Sequence, residues 1–319
     1  MATRRTVLKG LAAAGASATF ARRSYAASCS PRKLSTMMGD YPHTHALMTG
    51  AVKSPCVTLD IAPVKVPSTA FARAVAMEFE VSELSLVTFL MAKAYGRKLV
   101  LLPAVNLSRY QHRYLVYNSE RGLMEPKDLE RARIGTRLFT ATTPTWLRGI
   151  LAGDYGVDVG RIRWVTYQKP NVPEFRDPPN VTMVPPGTDI TAMLLRGEID
   201  AAVLDPIPSD PRLKPVIHSP GKAENDWAAR HRAIQINHMV VVKEELTRSD
   251  PDAIRDAWGM MAEAKRVAGP GARPEYTPFG LEANRTNIEI AIDYIYRTGL
   301  IPRRFAVDEL FNDLTATLT

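Results

Sequence analysis

The chain is 319 residues long, with a formal charge of +8 and only two cysteines. Arg4, Arg5, Lys9, Arg22 and Arg23 stand within the first 26 residues with no acid beside them, so the rest of the chain holds 36 basic against 33 acidic side chains, a balance of +3. Such a balance is that of an ordinary soluble surface and removes the charge argument for a nucleic-acid partner, so none is expected. Cys29 and Cys56 can close at most one disulfide, and without a CxxC or a Cys/His array they exclude a zinc or thiol-redox centre.

Residues 3–9 read TRRTVLK, followed by GLAAAGASATF, two further arginines and the small-residue exit SYA. This order resembles a twin-arginine export signal cut after Ala26, which implies the twin-arginine machinery as a partner and a periplasmic location. The alternative is an uncleaved amphipathic helix. The apolar run is too short and too rich in Ala and Gly to anchor in a bilayer, so no stable membrane insertion is expected. A lipid anchor on Cys29 is disfavoured, because AAS before it lacks a large aliphatic residue. The remainder is near the size at which one core divides, so two lobes are expected.

In chain order, an apolar segment at 34–38 is followed by VTLDIAPV (57–64), which alternates as a strand. STAFARAVAM predicts a helix capped by Ser68, and ELSLVTFLMAKAYG a second that closes at Gly96. KLVLLPAV reads as a buried strand of the parallel type. The middle repeats the rhythm: a short helix from Pro126, a strand around Ile134, a helix with Thr143 as cap and Pro144 in its first turn, then RIRWVTY, DITAMLLRG and EIDAAVLD as strand, helix, strand. HMVVVKEEL (238–246) reads as a strand returning to the first lobe, before helices over 251–267 and 282–298 and a last one near 308. The class is therefore α/β. Lobe 1 is expected over 33–117 plus 238–319 and lobe 2 over 118–237, with crossings near 115–120 and 232–238. Neither a repeat nor a membrane span is visible.

The order FEVSELSL, EPKDLERARIGT, a Thr-rich loop opening a helix, and MLLRGEIDAAV resembles the type II periplasmic-binding-protein fold. That resemblance implies two α/β lobes, a two-strand hinge and a ligand cleft between them. Within the fold, GDYPHT (39–44), SELSLVTFLMAKAYG, RYQH (109–112), TTPTWLRGILAGDYGVD, NHMVVVK, FGLEANRTNIEIAIDYIYRTGLIPRR and DELF look most like the 4,5-dihydroxyphthalate decarboxylase family. The family activity is loss of CO2 from a dihydroxylated aromatic dicarboxylate, and it implies no cofactor. Ring protonation at the departing carboxyl needs a positioned acid and groups that hold phenol and carboxylate.

The resemblance singles out His43 and His238 as proton donors, whereas His45 has no such support. Both histidines of GDYPHTHALMTG lack a visible third partner for a metal, so no metal is expected. Ser82, Glu83 and Ser85 are placed at a helix start facing a ligand, with Glu83 at a phenol; helix capping by Ser82 and the helix dipole at Glu83 are the plain alternatives. Arg109 and His112 are candidates for an anion, or for a strand end in solvent. Thr140, Thr142 and Thr143 precede a helix whose free N–H groups favour a carboxylate. Arg148 faces either cleft or solvent, Trp146 reads as core, and Asp205 ends a strand near the cleft, where an Asp also starts turns. Two functions follow: the decarboxylase, which the ordered motifs and histidines favour and which is placed first, or an exported binding protein for a small aromatic or carboxylate ligand that serves an ABC-type transporter permease, which export and fold favour.

Overall fold

The structure, a computed structural model, describes residues 30–271 and 275–319; the export-signal segment and Cys29 lie outside the described residues. The chain first forms strand β1 (Arg32–Met37), helix α1 (His45–Met48), β2 (Val57–Ile61), α2 (Phe71–Val75), β3 (Val81–Ser85), α3 (Leu86–Ala94) and β4 (Leu99–Ser108). A second unit follows with β5 (Leu115–Asn118), β6 (Arg133–Gly135), α4 (Thr142–Tyr155), β7 (Arg163–Thr166), β8 (Val181–Met183), α5 (Ile190–Arg196), β9 (Ala201–Val203), β10 (Leu213–Pro215) and α6 (Pro220–His231). Strand β11 (Ile236–Lys243) then leads to α7 (Leu246–Ser249), α8 (Pro251–Ala268) and α9 (Leu281–Arg297).

Two sheets result, as the alternation of strand and helix requires. The first has the order β2-β1-β3-β11-β4 and the second β10-β5-β9-β6-β7-β8. β1 runs parallel to β2 and β3, while β11 inserts antiparallel between β3 and β4. In the second sheet β9, β6, β7 and β8 are parallel, and β5 runs antiparallel to both of its neighbours, β9 and β10. The chain is a two-lobe α/β protein, and β11 returns to the first sheet as HMVVVK suggested.

Several local expectations are corrected. β4 is buried on both faces because Leu99, Leu101 and Val105 enter one apolar cluster and Val100, Leu102 and Ala104 another. Double burial gave it the look of a parallel strand, yet it pairs antiparallel with β11. Ser68 caps nothing: Pro67 leads a 3-10 turn over Pro67–Thr69, and α2 begins at Phe71 behind Ala70 without a side-chain cap. Ser82 and Glu83 do not open a helix. β3 is paired on both sides, which carries the strand through to Ser85, and Ser85 is the cap, accepting from the Thr88 N–H at 3.0 Å. Thr143 is not the cap of α4, because the helix starts at Thr142 behind Ala141, placing Thr143 in the first turn. The crossings fall between Ser108 and Leu115 and between His231 and Ile236, and the last predicted helix is a 3-10 turn over Val307–Leu310.

Behind the sheets, α4 packs on α9 through aromatic rings. Trp146 Nε1 donates to the Ile236 carbonyl at 2.9 Å, and its indole meets Trp227 and Tyr294 edge-on at 5.9 and 5.5 Å. Trp146 is thus core, as read. The approach depends on Gly149, where a Cβ would overlap the Tyr294 ring. Gly149→Ala should therefore cost about 1–3 kcal/mol of stability, the usual penalty of overpacking, measured by denaturant unfolding. Full wild-type stability would show that the α4–α9 joint yields freely.

Candidate functional site

A cleft opens where the carboxyl ends of parallel strands in the two sheets face each other, the position at which open α/β sheets hold ligands. Its volume is about 230 Å³. Of the residues singled out by sequence, Ser85, Arg109, Thr142, Thr143, Asp205 and His238 line it. Arg137, Phe71, Thr88 and Asn171 line it too and were missed. Two contacts between lining residues bridge its two sides, Arg109 with Asp205 and Asn171 Nδ2 with Thr88 Oγ1 at 3.4 Å, and Arg97 pairs with Glu174 at 2.7 Å outside the lining.

The first-lobe wall is organised by Glu83, whose side chain is fully shielded from solvent. Its Oε2 accepts from the Gly39 N–H at 2.8 Å and Asn106 Nδ2 at 3.2 Å, and its Oε1 accepts from the Tyr41 hydroxyl and meets His238 Nδ1, both at 2.6 Å. Burial pushes this carboxyl up, but His238, Tyr41 and Gly39 outweigh it and hold the group below the usual carboxylate range. The same carboxylate, with burial as the larger cause, pushes the Tyr41 phenol up. With Nδ1 turned to Glu83, His238 has Nε2 left for a ligand, and its ring stands edge-on to Phe71 at 5.1 Å. Glu83 was expected at a substrate phenol. It accepts instead from the protein's own phenol, Tyr41, and orients His238 from behind the cleft wall.

The second-lobe wall is the start of α4. Ala141 has no side chain with which to cap it, Pro144 has no N–H, and the Thr145 N–H is used by the Ala141 carbonyl at 3.2 Å. The N–H groups of Thr142 and Thr143 are left over. Both side chains are more than nine-tenths buried, at 6% and 8% exposure, and among the described residues neither hydroxyl has a partner. This is an anion-favouring end of a 14-residue helix with its capping bonds unfilled. Arg109 is the expected cation, but both oxygens of Asp205 take its guanidinium, which also lies 4.4 Å over the Tyr114 ring.

Other expected residues lie off the cleft. Ser82 is buried within β3 opposite Val241. His112 is fully buried in a 3-10 turn, neither at a strand end nor in solvent, and burial together with Arg230 and Arg113 brings it down to about 4. Thr140 is buried in the turn before α4. Arg148 faces neither cleft nor solvent: it is buried, donates to the Phe139 carbonyl at 3.0 Å, and burial pushes its pKa down to about 9. His43 stacks on the far side of Tyr41 at 5.6 Å, in a neighbouring cavity with Asn106 and Lys265. Burial and Lys265 lower its pKa, which keeps the ring neutral near pH 7 and makes it a poor source of protons. His45 is exposed and bound to Asp40 at 2.9 Å. Among the described residues no group of three His, Cys, Asp or Glu is placed to hold a metal. Arg137 was within reach of sequence: it follows the strand at Ile134 by three residues, where a carboxyl-end loop belongs.

Glu83→Gln should cost about 1–3 kcal/mol at pH 7, since an amide cannot accept from all four donors. A carboxyl held low in the folded state contributes fully above its unfolded value of about 4.3 and loses that contribution as pH falls through its lower folded value. The gap between wild type and variant should therefore hold from pH 8 to about pH 5 and shrink only in stronger acid. Denaturation curves across this range check it; a gap that already closes between pH 7 and 5 would contradict the assignment.

No protein-family model and no curated protein sequence matches the chain. Solved structures do match it in shape. The periplasmic aliphatic sulphonate binding protein SsuA from Escherichia coli aligns over 89% of this chain and 93% of its own, with a TM-score of 0.60 and 11% identity. The alkanesulfonate-binding protein SsuA from Xanthomonas axonopodis pv. citri, solved with MOPS, aligns over 89% and 99%, with a TM-score of 0.55 and 13% identity. The ligand-binding component of an ABC-type import system from Staphylococcus aureus aligns over 90% and 99%, with a TM-score of 0.52 and 11% identity. The chain thus has the two-lobe fold of periplasmic binding proteins, the fold that its motif order suggested.

Proposed function

We propose that the chain is an exported solute-binding protein that captures a small aromatic or carboxylate anion in the interlobe cleft for an ABC-type transporter permease. The observation that carries this reading is the unfilled start of α4: two free N–H groups and the unpartnered hydroxyls of Thr142 and Thr143 line the cleft. An N-terminus left uncapped by its own chain is stabilised when an anion supplies the missing acceptors. The fold, shared with binding components of importers, and the twin-arginine-like leader support the same reading.

A second reading keeps the same cleft as a decarboxylase of a dihydroxylated aromatic dicarboxylate, and the Glu83–His238 pair on the cleft wall favours it. In that reaction a proton from His238 is added to the ring carbon bearing the carboxylate, the C–C bond breaks, its electron pair restores the aromatic ring, and CO2 leaves. No cofactor is called for by this step, because a ring hydroxyl para to the leaving group supplies electron density.

Calorimetry with benzoate and with 4,5-dihydroxyphthalate, beside a CO2 assay, separates the two. Saturable binding without CO2 is expected, and the Thr142→Val/Thr143→Val double variant should weaken benzoate by roughly tenfold, at about 0.5–1.5 kcal/mol for each lost hydrogen bond. Steady CO2 release would replace the capture reading with catalysis. His238→Ala would then lower the chemical step far more than binding.

A further inference from the structure

We infer that Arg137, and not Arg109, is the cation that holds the ligand's charge, and that the cleft is built for a single anionic group. The inference rests on reading the cleft as a capture site and names its charge-selecting residue. Both arginines line the cleft, but their electrical situations differ. Arg109 is neutralised by a two-pronged pair with Asp205 and is stacked on Tyr114. Arg137 donates through Nη1 to the neutral Gln168 Oε1 at 2.6 Å, and among the described residues no carboxylate stands within ion-pair distance of it.

Position strengthens the case. Arg137 stands at the start of the loop between β6 and α4, and that start is pinned to the β7 side: the Thr136 N–H donates to the Val165 carbonyl at 2.9 Å and the Gln168 N–H to the Arg137 carbonyl at 3.1 Å. Its backbone is therefore fixed before any ligand arrives, which limits the ordering cost of binding. Arg137, Ala141 and Thr143 also line a second compartment of about 320 Å³ that runs toward Tyr167, Ile190 and Leu204. Arg137 thus lines both compartments, as does Thr143 at the start of α4. An anionic group placed there is met by a planar donor fork and a helix N-terminus together.

The charge count sets the ligand class. Asp205 answers Arg109 and Glu83 faces His238, which leaves one uncompensated cation among the cleft-lining arginines. A carboxylate or sulfonate monoanion matches that count. A dianion brings a second charge for which the cleft has no partner unless Asp205 is displaced, so an aromatic dicarboxylate should gain nothing over its monoacid.

The test titrates wild type, Arg137→Gln and Arg137→Lys with benzoate, benzamide and phthalate by calorimetry, with thermal unfolding of each variant as the folding control. Wild type should prefer benzoate to its neutral isostere benzamide by about tenfold or more, the equivalent of about 1.4 kcal/mol. Arg137→Gln should abolish that preference and Arg137→Lys should restore part of it, while phthalate should bind wild type no more tightly than benzoate. If wild type binds none of the three at millimolar concentration, the capture reading itself fails. Binding of benzoate with its preference intact in Arg137→Gln overturns the role of Arg137 alone, and phthalate bound tenfold more tightly than benzoate overturns the single-charge site.

Discussion

Glu83 carries its charge with no solvent contact, midway along the strand in the middle of the first sheet. Removing a carboxylate from water costs several kcal/mol unless its lone pairs are met by well-placed donors. The donors come from three other segments: Gly39 and Tyr41 after β1, Asn106 on β4 and His238 on β11. Only the observed strand order brings these segments together, since β11 must lie between β3 and β4 for its histidine to reach the carboxylate. Satisfying one buried charge therefore fixes the Gly39–Tyr41 turn, the position of the crossover strand and the ring of His238 as a unit. The cleft-facing edge of the first lobe is rigid because that charge cannot be left unpaired.

The opposite wall follows a different principle. Both oxygens of Glu83 in the first lobe are used, whereas the second lobe leaves donors unused at the start of α4. Ala141 at the cap position contributes nothing that Ser, Thr or Asp would have contributed there, about 1 kcal/mol of helix stability in typical proteins. The shortfall is tolerable because the helix is held from behind by the Trp146, Trp227 and Tyr294 rings. A firmly packed body thus lets the exposed end stay unsatisfied, and an unsatisfied end is what an anion can stabilise. Packing at the back and binding at the front are two consequences of one helix.

Legibility followed burial and local pattern. The alternation of strand and helix, the returning strand at HMVVVK and the long C-terminal helices were visible because apolar periodicity records which face is covered. Direction of pairing was not: β4 carries the same apolar run whether its neighbour is parallel or antiparallel. The SELS segment was misplaced because local chemistry makes serine and glutamate look like a helix start, while pairing with β1 and β11 keeps Ser82 and Glu83 in the strand. Among candidate site residues, Asp205 is legible from a strand end, Thr142, Thr143 and Ser85 from a helix start, and Arg109 and His238 from the family motifs, while Arg137 obeys the strand-end logic unnoticed. His43 and His112 show the limit. A histidine's sequence neighbours do not reveal whether its ring opens on a cleft or is buried behind an aromatic side chain.

The fold by itself does not choose between capture and chemistry, because the same two-lobe frame can carry either. The choice falls on the proton of His238. A histidine whose Nδ1 is committed to a buried carboxylate presents one fixed nitrogen, and for capture that nitrogen needs only to hydrogen-bond. Catalysis asks more: the proton must leave toward carbon and be replaced in every turnover, so the site needs a path by which water restores it. Glu83 cannot be that path, since it is sealed by four donors and has no contact with solvent. Tyr41, with its phenol pushed up and bound to the same carboxylate, cannot release a proton near neutral pH either. Replenishment would have to come through the cleft itself, from water that enters once the product has left. The wall behind His238 is built to hold the ring in place, which serves capture directly and makes catalysis depend on water reaching the cleft between turnovers.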